Sequence, residues 1–274
     1  MPSTQQVQRA LRAWSPSHYL QFASQRLRPA LDLLNLVNVP PTATTVVDLG
    51  SGPGNLTPFL RERFPTATIE CVDASDSMLA AAAATHKELG LADVRYTQAN
   101  FESFEPSSPV DVIYTNAALH WVSFDVHTRL LPRLVSFLKP GGVLAIQMPD
   151  SRKMPSHQLM GQAAADLGMD VSSARWVTTE ADAGAYYKLL APLGSEIHLW
   201  STEYVYTMTA SSDSHPVVDF VSSTGLGPYL NALEPSQHPA FLAKYTQLIA
   251  NAYPVLPNGV ALVPYRRFFC VLTK

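Results

Sequence analysis

Val46-Val47-Asp48-Leu49-Gly50-Ser51-Gly52-Pro53-Gly54 is the stretch from which the rest of the chain is read. A β-branched apolar pair leads into an acid, and glycine then falls at every second position. This is the pattern of a buried strand that ends in a glycine loop. Asn55-Leu56-Thr57-Pro58-Phe59-Leu60 follows and reads as a helix start. Glycine lets the backbone approach a ligand closely, and a helix start turns free N–H groups toward whatever lies above the strand. The G-x-G-x-G spacing differs from the dinucleotide fingerprint G-x-G-x-x-G. It also lacks the Gly-Lys-Ser/Thr of a triphosphate loop.

A second strand, Ala67-Thr68-Ile69-Glu70-Cys71-Val72-Asp73, also closes on an acid. In doubly wound folds an acid about twenty residues past the glycine loop hydrogen-bonds the ribose hydroxyls of an adenosine. Ser75 or Asp76 caps the next helix, which carries the five alanines Ala80–Ala84 and stops at Gly90. Met78 lies in its first turn, where a thioether either rests on an adenine face or packs into the core.

Working outward, Pro16 opens a short helix over 16–23 and Pro29 another, with Leu31, Leu34 and Val37 on one face. Strands are expected at 45–49, 68–72, 93–98, 110–115, 142–148, 196–208 and 260–272. Helices are expected at 55–63, 76–89, 124–138, 155–168, 179–191, 213–223 and 235–252. Gly141 and Gly142, after Lys139-Pro140, read as a turn between a helix and a strand. Alternation of strands and helices predicts a doubly wound, mostly parallel α/β sheet with helices on both faces.

The ordered motifs VVDLGSGPGN, CVDASDSM, YTQANF, DVIYTNAALHW and LKPGGVLAIQM, spread over residues 46–148, resemble those of S-adenosylmethionine-dependent methyltransferases. The resemblance implies a seven-stranded Rossmann-like sheet with S-adenosyl-L-methionine as cofactor. It puts Asp48 near the methionine amino group, the glycine loop under the methionine moiety, Asp73 on the ribose, and the end of strand 110–115 beside the sulfonium. The cofactor set it implies is Asp48, Gly50, Ser51, Gly52, Gly54, Asn55, Asp73, Ala74, Ser75, Met78, Asn100, Phe101, Asn116, Ala117 and Arg28.

A closer resemblance, to trans-aconitate methyltransferases, runs over nearly the whole chain. It rests on WSPSHYLQF (14–22), RLRPA (26–30), QMPD (147–150), PSH (155–157), AYY (185–187) and PYRRFF (264–269). It implies a methyl ester formed on one carboxylate of a small unsaturated tricarboxylic acid, and a helical cap inserted into a single domain spanning 1–274. N-terminal helices (1–40) would lie over the cofactor, with a binding core at 45–149, a cap and edge strand at 150–252 and a last strand at 253–274. Asn100 stands where the family usually has an acid, Gly227 where an arginine is expected, and Arg152 where an aromatic is expected.

An ionised carboxylate has a pKa of about 4 and needs no general base to attack a sulfonium methyl, so no catalytic triad is expected. The enzyme supplies alignment, water exclusion and charge matching. Candidate acceptor-binding residues are Tyr19, Phe22, His120, Trp121, Gln147, Tyr186 and Arg267, with His120 and Tyr19 as positioning groups. Each has a plainer reading: His120 as a local cap, Trp121 as a core anchor, Tyr19 and Phe22 as helix packing, and Arg28 as a surface residue. Tyr186 and Tyr187 cannot both face one pocket from a single helix. Arg266 and Arg267 alternate on a strand, so only one points to the site.

Composition narrows the class further. The chain has 274 residues, 47% of them apolar, and a net charge of −3 without a long basic run. This disfavours a nucleic-acid partner, which needs clustered Lys and Arg. Cys71 and Cys270 sit in apolar runs and read as reduced core thiols. The eight histidines show no ligand spacing, so no metal is expected. The N-terminal segment has no apolar signal core, although Arg9 and Arg12 precede the first acid, Asp32. No run of about eighteen apolar residues suggests a span. The expectation is a cytoplasmic enzyme, monomeric or weakly dimeric, acting on a small carboxylic acid. The competing readings are a methyltransferase for an apolar or aromatic acceptor, an inactive cofactor-binding interaction protein, and an oxidoreductase, for which the third glycine falls at the wrong spacing.

Overall fold

The computed structural model describes residues 27–174, 178–209, 214–222 and 225–274. Among them runs one sheet of strands β1 (Thr45–Leu49), β2 (Thr68–Asp73), β3 (Val94–Gln98), β4 (Val110–Asn116), β5 (Leu138–Pro149), β6 (Glu196–Thr209) and β7 (Val260–Thr273). Their order is β3-β2-β1-β4-β5-β7-β6. The pairs from β3 through β5 are parallel, and β7 runs antiparallel to β5. The expected doubly wound α/β sheet is therefore present, with its antiparallel strand entering beside β5. Helices are α1 (27–34), α2 (Thr57–Arg63), α3 (Asp76–Glu88), α4 (Phe124–Ser136), α5 (Pro155–Asp166), α6 (Ala183–Leu190), α7 (Pro216–Ser222), α8 (Gly227–Ala232) and α9 (His238–Ala252). The expected helix at 16–23 lies outside the described residues.

Two compact units emerge from the chain. One holds residues 27–149, 179–202 and 267–274; in the other, the described residues come from 150–178 and 203–266. In the first, period-two alternation sends Val47, Leu49, Ile113, Leu144, Ile146 and Met148 to one sheet face. There they meet Leu130, Leu131 and Leu134 of α4 and Tyr186 and Leu190 of α6. The opposite face carries Asp48 opposite Cys71 and Tyr114. Tyr114 donates its hydroxyl to the Ala30 carbonyl of α1 at 2.5 Å, and Cys71 lies 3.3 Å from the Thr57 hydroxyl of α2. The buried face of α1 and the turn after it is Ala30, Leu33, Leu34 and Val37, so Leu33 replaces the expected Leu31. Both cysteines are buried and free, and burial pushes each thiol up to about 12.

The second unit is built around α5 and α9. Tyr245 donates to the Ser156 carbonyl at 2.5 Å, and Lys244 pairs with Asp166 at 2.8 Å. Tyr206 stacks on Tyr265 with ring centres 5.4 Å apart. Asp150 holds Arg152 at 2.7 Å and Arg266 at 3.4 Å.

Two local expectations change. Gly141 and Gly142 do not form a turn before a strand; β5 already starts at Leu138, paired with Val110, and its register shifts before Val112. Gly141 is left-handed (φ 75°), and a Cβ on Gly142 would fall 2.9 Å from the Lys139 carbonyl, so the strand bulges there. The short helix α8 was not anticipated. No helix among the described residues is long and apolar enough to cross a membrane.

Candidate active site

The glycine loop is tied down before any ligand arrives. The N–H groups of Gly50 and Ser51 both donate to the Val72 carbonyl, at 2.8 and 3.0 Å, joining the end of β1 to β2. The three glycines then serve different ends. A Cβ on Gly50 would stand 2.3 Å from the Ala118 Cβ, and one on Gly54 would stand 2.4 Å from the His86 ring. These two are glycines because neighbouring groups occupy the space. A Cβ on Gly52 would meet nothing within 4 Å. Gly52 faces open space, and its N–H donates to Asp73 Oδ2 at 2.9 Å. Asp73 Oδ1 accepts from the Ser75 N–H at 2.9 Å, so the carboxylate is held from both sides. The Ser75 hydroxyl in turn caps α3 by accepting from the Met78 N–H, which settles the choice between Ser75 and Asp76.

A pocket of about 370 Å³ opens over this floor, a size suited to a small molecule. Of the residues expected to hold a cofactor, Gly50, Gly52, Asp73, Ala74, Asn100, Phe101 and Ala117 line it. Trp121, expected on the acceptor side, lines it too and is 48% exposed, so it is not a core anchor. Asn100 is already engaged, its Oδ1 accepting from the Ser103 N–H at 2.8 Å in a local turn. One lone pair of that oxygen is left for a ligand.

Below the pocket lie buried polar groups. Asp48 is 1% exposed, and its Oδ2 finds no hydrogen-bond partner among the described residues. Burial, and then the nearby Asp73 charge, raise its pKa to about 7. Asn116 Oδ1 is likewise buried without a hydrogen-bond partner among the described residues. Ala117 follows Asn116 with a left-handed backbone (φ 50°), a strained conformation for a non-glycine residue. Its N–H donates to the Gln147 carbonyl at 2.9 Å. Gln147 is 1% exposed, and both ends of its amide lack a hydrogen-bond partner among the described residues.

Other expected residues are not among those lining the pocket. Gly54 is buried behind the loop, Asn55 is exposed, and Met78 is half-buried in the first turn of α3. Arg28 is a surface residue 4.0 Å from Asp32. His120 is buried in the turn 119–121, its ring centre 5.4 Å from that of Trp121. Arg267 is buried, whereas Arg266 is half exposed and pairs with Asp150 at 3.4 Å. Tyr186 must be corrected. It is wholly buried, bonded to His127 at 2.8 Å and packed on Phe124 and Phe268 in the layer of α4 and α6. That layer lies on the sheet face opposite Asp48, Asn116 and Gln147, and Tyr187 of the same helix is exposed. Tyr19 and Phe22 lie outside the described residues.

Sequence reasoning missed Ala99 and Ala118 of the pocket wall and His86 behind it. His86 is 1% exposed; its Nε2 donates to the Gly54 carbonyl at 2.9 Å, and its Nδ1 lies 2.9 Å from the Tyr96 hydroxyl. A carbonyl can only accept, so the neutral ring carries its proton on Nε2 and Tyr96 donates to Nδ1. His86 sits on a helix dominated by alanine, where nothing in the sequence marks it.

Comparison with known proteins agrees with this geometry. Residues 46–142 match the family model described as a methyltransferase domain. The chain is 42% identical to a trans-aconitate 2-methyltransferase of Azoarcus sp. (strain BH72), over 95% of this chain and 99% of that protein. It is 40% identical to a trans-aconitate 2-methyltransferase of Variovorax paradoxus (strain S110), over 95% and 98%. Among solved structures, the YcgJ protein from Bacillus subtilis shares the fold, with a TM-score of 0.57 at 14% identity over 90% of this chain and 98% of that one.

Proposed function

The chain belongs to the trans-aconitate 2-methyltransferase family, and we propose that it moves a methyl group from S-adenosylmethionine to a carboxylate of trans-aconitate, giving a methyl ester. The observation that carries this reading is the likeness, above 40% identity over nearly the full length, to an enzyme of that name. The local chemistry supports it. Asp48 Oδ2 and Asn116 Oδ1 are buried acceptors without a hydrogen-bond partner among the described residues. They suit the ammonium of the methionine moiety. Asp73, fixed from both sides, still has lone pairs for two ribose hydroxyls, and the wall of Ala99, Asn100 and Phe101 suits an adenine. When bound, the cofactor supplies an electrophilic methyl on a sulfonium.

The chain's own residues do the positioning. Gly52 leaves the loop open where the methionine moiety would pass. Ala117 and Ala118 follow β4 with small side chains and give the acceptor room. Trp121 walls the pocket on the acceptor side. No residue needs to take a proton, because the attacking carboxylate is already ionised near neutrality. In this reading the enzyme is a cytoplasmic monomer or weak homodimer without a nucleic-acid partner. The net charge of −3 and the two free cysteines support that view.

The test is transfer of labelled methyl to trans-aconitate, isocitrate and a series of di- and tricarboxylates, with the product identified as an ester by alkaline lability. Turnover of trans-aconitate above the others is expected. Transfer only to a neutral aromatic or lipid-like acceptor would replace this reading with the alternative methyltransferase.

A further inference from the structure

We propose that Gln147, with Arg267 sharing its face of the sheet, is the subsite that grips a spectator carboxylate of the methyl acceptor and sets acceptor specificity. The proposal rests on the reading of the acceptor as a polycarboxylate. Its basis is register. Asn116 pairs directly with Gln147, so their side chains leave the same face of the sheet. Gln147 pairs with Phe269 and Pro149 with Arg267. Arg267 is two residues from Phe269 along β7 and so shares that face. Three polar side chains thus stand together at the carboxyl ends of β4 and β5, where the chain turns into the pocket wall at Ala117.

The second observation concerns Gln147 itself. Its neighbours Leu144, Ala145, Ile146 and Met148 are apolar and fully buried. A leucine or methionine at 147 would fit such a strand without loss. Instead the strand carries an amide whose oxygen and nitrogen are both buried and lack a hydrogen-bond partner among the described residues. Buried amides in native proteins almost always have partners, and one without is a cost to the fold. The cost is accounted for if a ligand completes the site. The chemistry then follows from the groups present. The Gln147 NH₂ donates to a carboxylate oxygen, and the Arg267 guanidinium brings a permanent positive charge to the same face. Asn116 Oδ1, an acceptor, cannot bond a carboxylate oxygen and suits the ammonium described above instead. Ala117 links the two, since it lines the pocket and its N–H donates to the Gln147 carbonyl.

The experiment replaces Gln147 with Leu and, separately, with Met and Glu. Wild type and variants are compared in acceptor KM at saturating cofactor, in affinity for S-adenosylhomocysteine without acceptor, and in Tm. For Gln147→Leu the expected result is a rise of about 10- to 100-fold in KM for trans-aconitate, the loss typical of a hydrogen bond to a charged group. Cofactor affinity should stay unchanged, and Tm should rise by about a few degrees because a buried unpaired amide has been removed. Gln147→Met should repeat both shifts, and Gln147→Glu should raise KM further by setting carboxylate against carboxylate. An unchanged KM with a raised Tm would show a core amide without function and overturn the proposal. So would a fall in Tm with KM and cofactor affinity damaged in parallel, the mark of a structural role. A wild-type protein that methylates no polycarboxylate would remove the functional reading itself, and that result appears before any variant is made.

Discussion

The carboxyl ends of β1 and β2 and those of β4 and β5 treat their polar groups in opposite ways. At the first pair the glycine loop, Asp73 and Ser75 are cross-bonded, with contacts of 2.8–3.0 Å from Gly50, Ser51 and Gly52. At the second pair Asn116 and Gln147 are buried with side-chain atoms that have no hydrogen-bond partner among the described residues. A recognition surface of the first kind is preorganised and loses little entropy on binding. One of the second kind is completed by its ligand and costs the free protein stability meanwhile. Asp48 stands between them in position and in character.

The largest effect that could break this contrast is expected at Gly50. Gly50→Val forces a branched side chain into Ala118 from a left-handed backbone (φ 78°). We expect a loss of about 3 kcal/mol or more in stability, seen as a Tm lower by about 6 °C or more. Gly52→Val, left-handed (φ 53°) but with open space around its Cβ, should melt lower by backbone strain alone, less than Gly50→Val, yet lose cofactor binding. If both variants melt alike, the glycines do not divide as described.

Next in size is Asp73→Ala. Removing charge-assisted hydrogen bonds of about 1.5–3 kcal/mol should weaken S-adenosylhomocysteine binding by roughly 10- to 150-fold in calorimetry. Affinity equal to wild type would remove Asp73 from the ribose.

Asp48 supplies a pH signature. With its pKa raised to about 7 in the folded protein, against the ordinary carboxyl value of 3.8, the folded chain holds this proton more tightly than the unfolded chain does. The group therefore opposes folding most above pH 7, and the penalty fades as pH falls toward 3.8. A cationic ligand group favours the ionised form. Cofactor affinity should then rise up to about tenfold per pH unit below 7 and level off above it. Titration calorimetry at pH 5.5 to 8.5 reads this directly, and Asp48→Asn should flatten the profile.

How much of this was legible in the sequence follows the same division. The strands and the glycine loop could be read because β-branched pairs and alternate glycines have few other uses, and Asp73 because an acid closing a second strand is unusual. Tyr186 was misplaced because helical periodicity reports that a face is buried, not which layer covers it. Ala99 and Ala118 carry no chemistry of their own; their place is visible only when Gly50 is seen to pack against Ala118. The Lys139-Pro140-Gly141-Gly142 bulge has the composition of a turn, and only pairing across the sheet distinguishes the two.

A smaller effect sharpens the preorganised side. His86→Phe keeps the ring volume but removes the bond to the Gly54 carbonyl, and should weaken cofactor binding several-fold, about 1 kcal/mol for a single neutral hydrogen bond. Acceptor KM at saturating cofactor should not move, and His86→Gln, which keeps a donor, should recover part of the loss. A parallel rise in acceptor KM would show that the loop and the acceptor end are not separable.

The central claim, that the cofactor end and the acceptor end are distinct, is tested most directly by one set of measurements on wild type, Asp73→Ala, Gln147→Leu and the double variant. Each is scored for S-adenosylhomocysteine affinity without acceptor and for trans-aconitate KM at saturating cofactor. The account predicts that Asp73→Ala weakens only the first, Gln147→Leu only the second, and that the double variant shows both losses, each the same size as in its single variant. Either single variant weakening both quantities equally would contradict it.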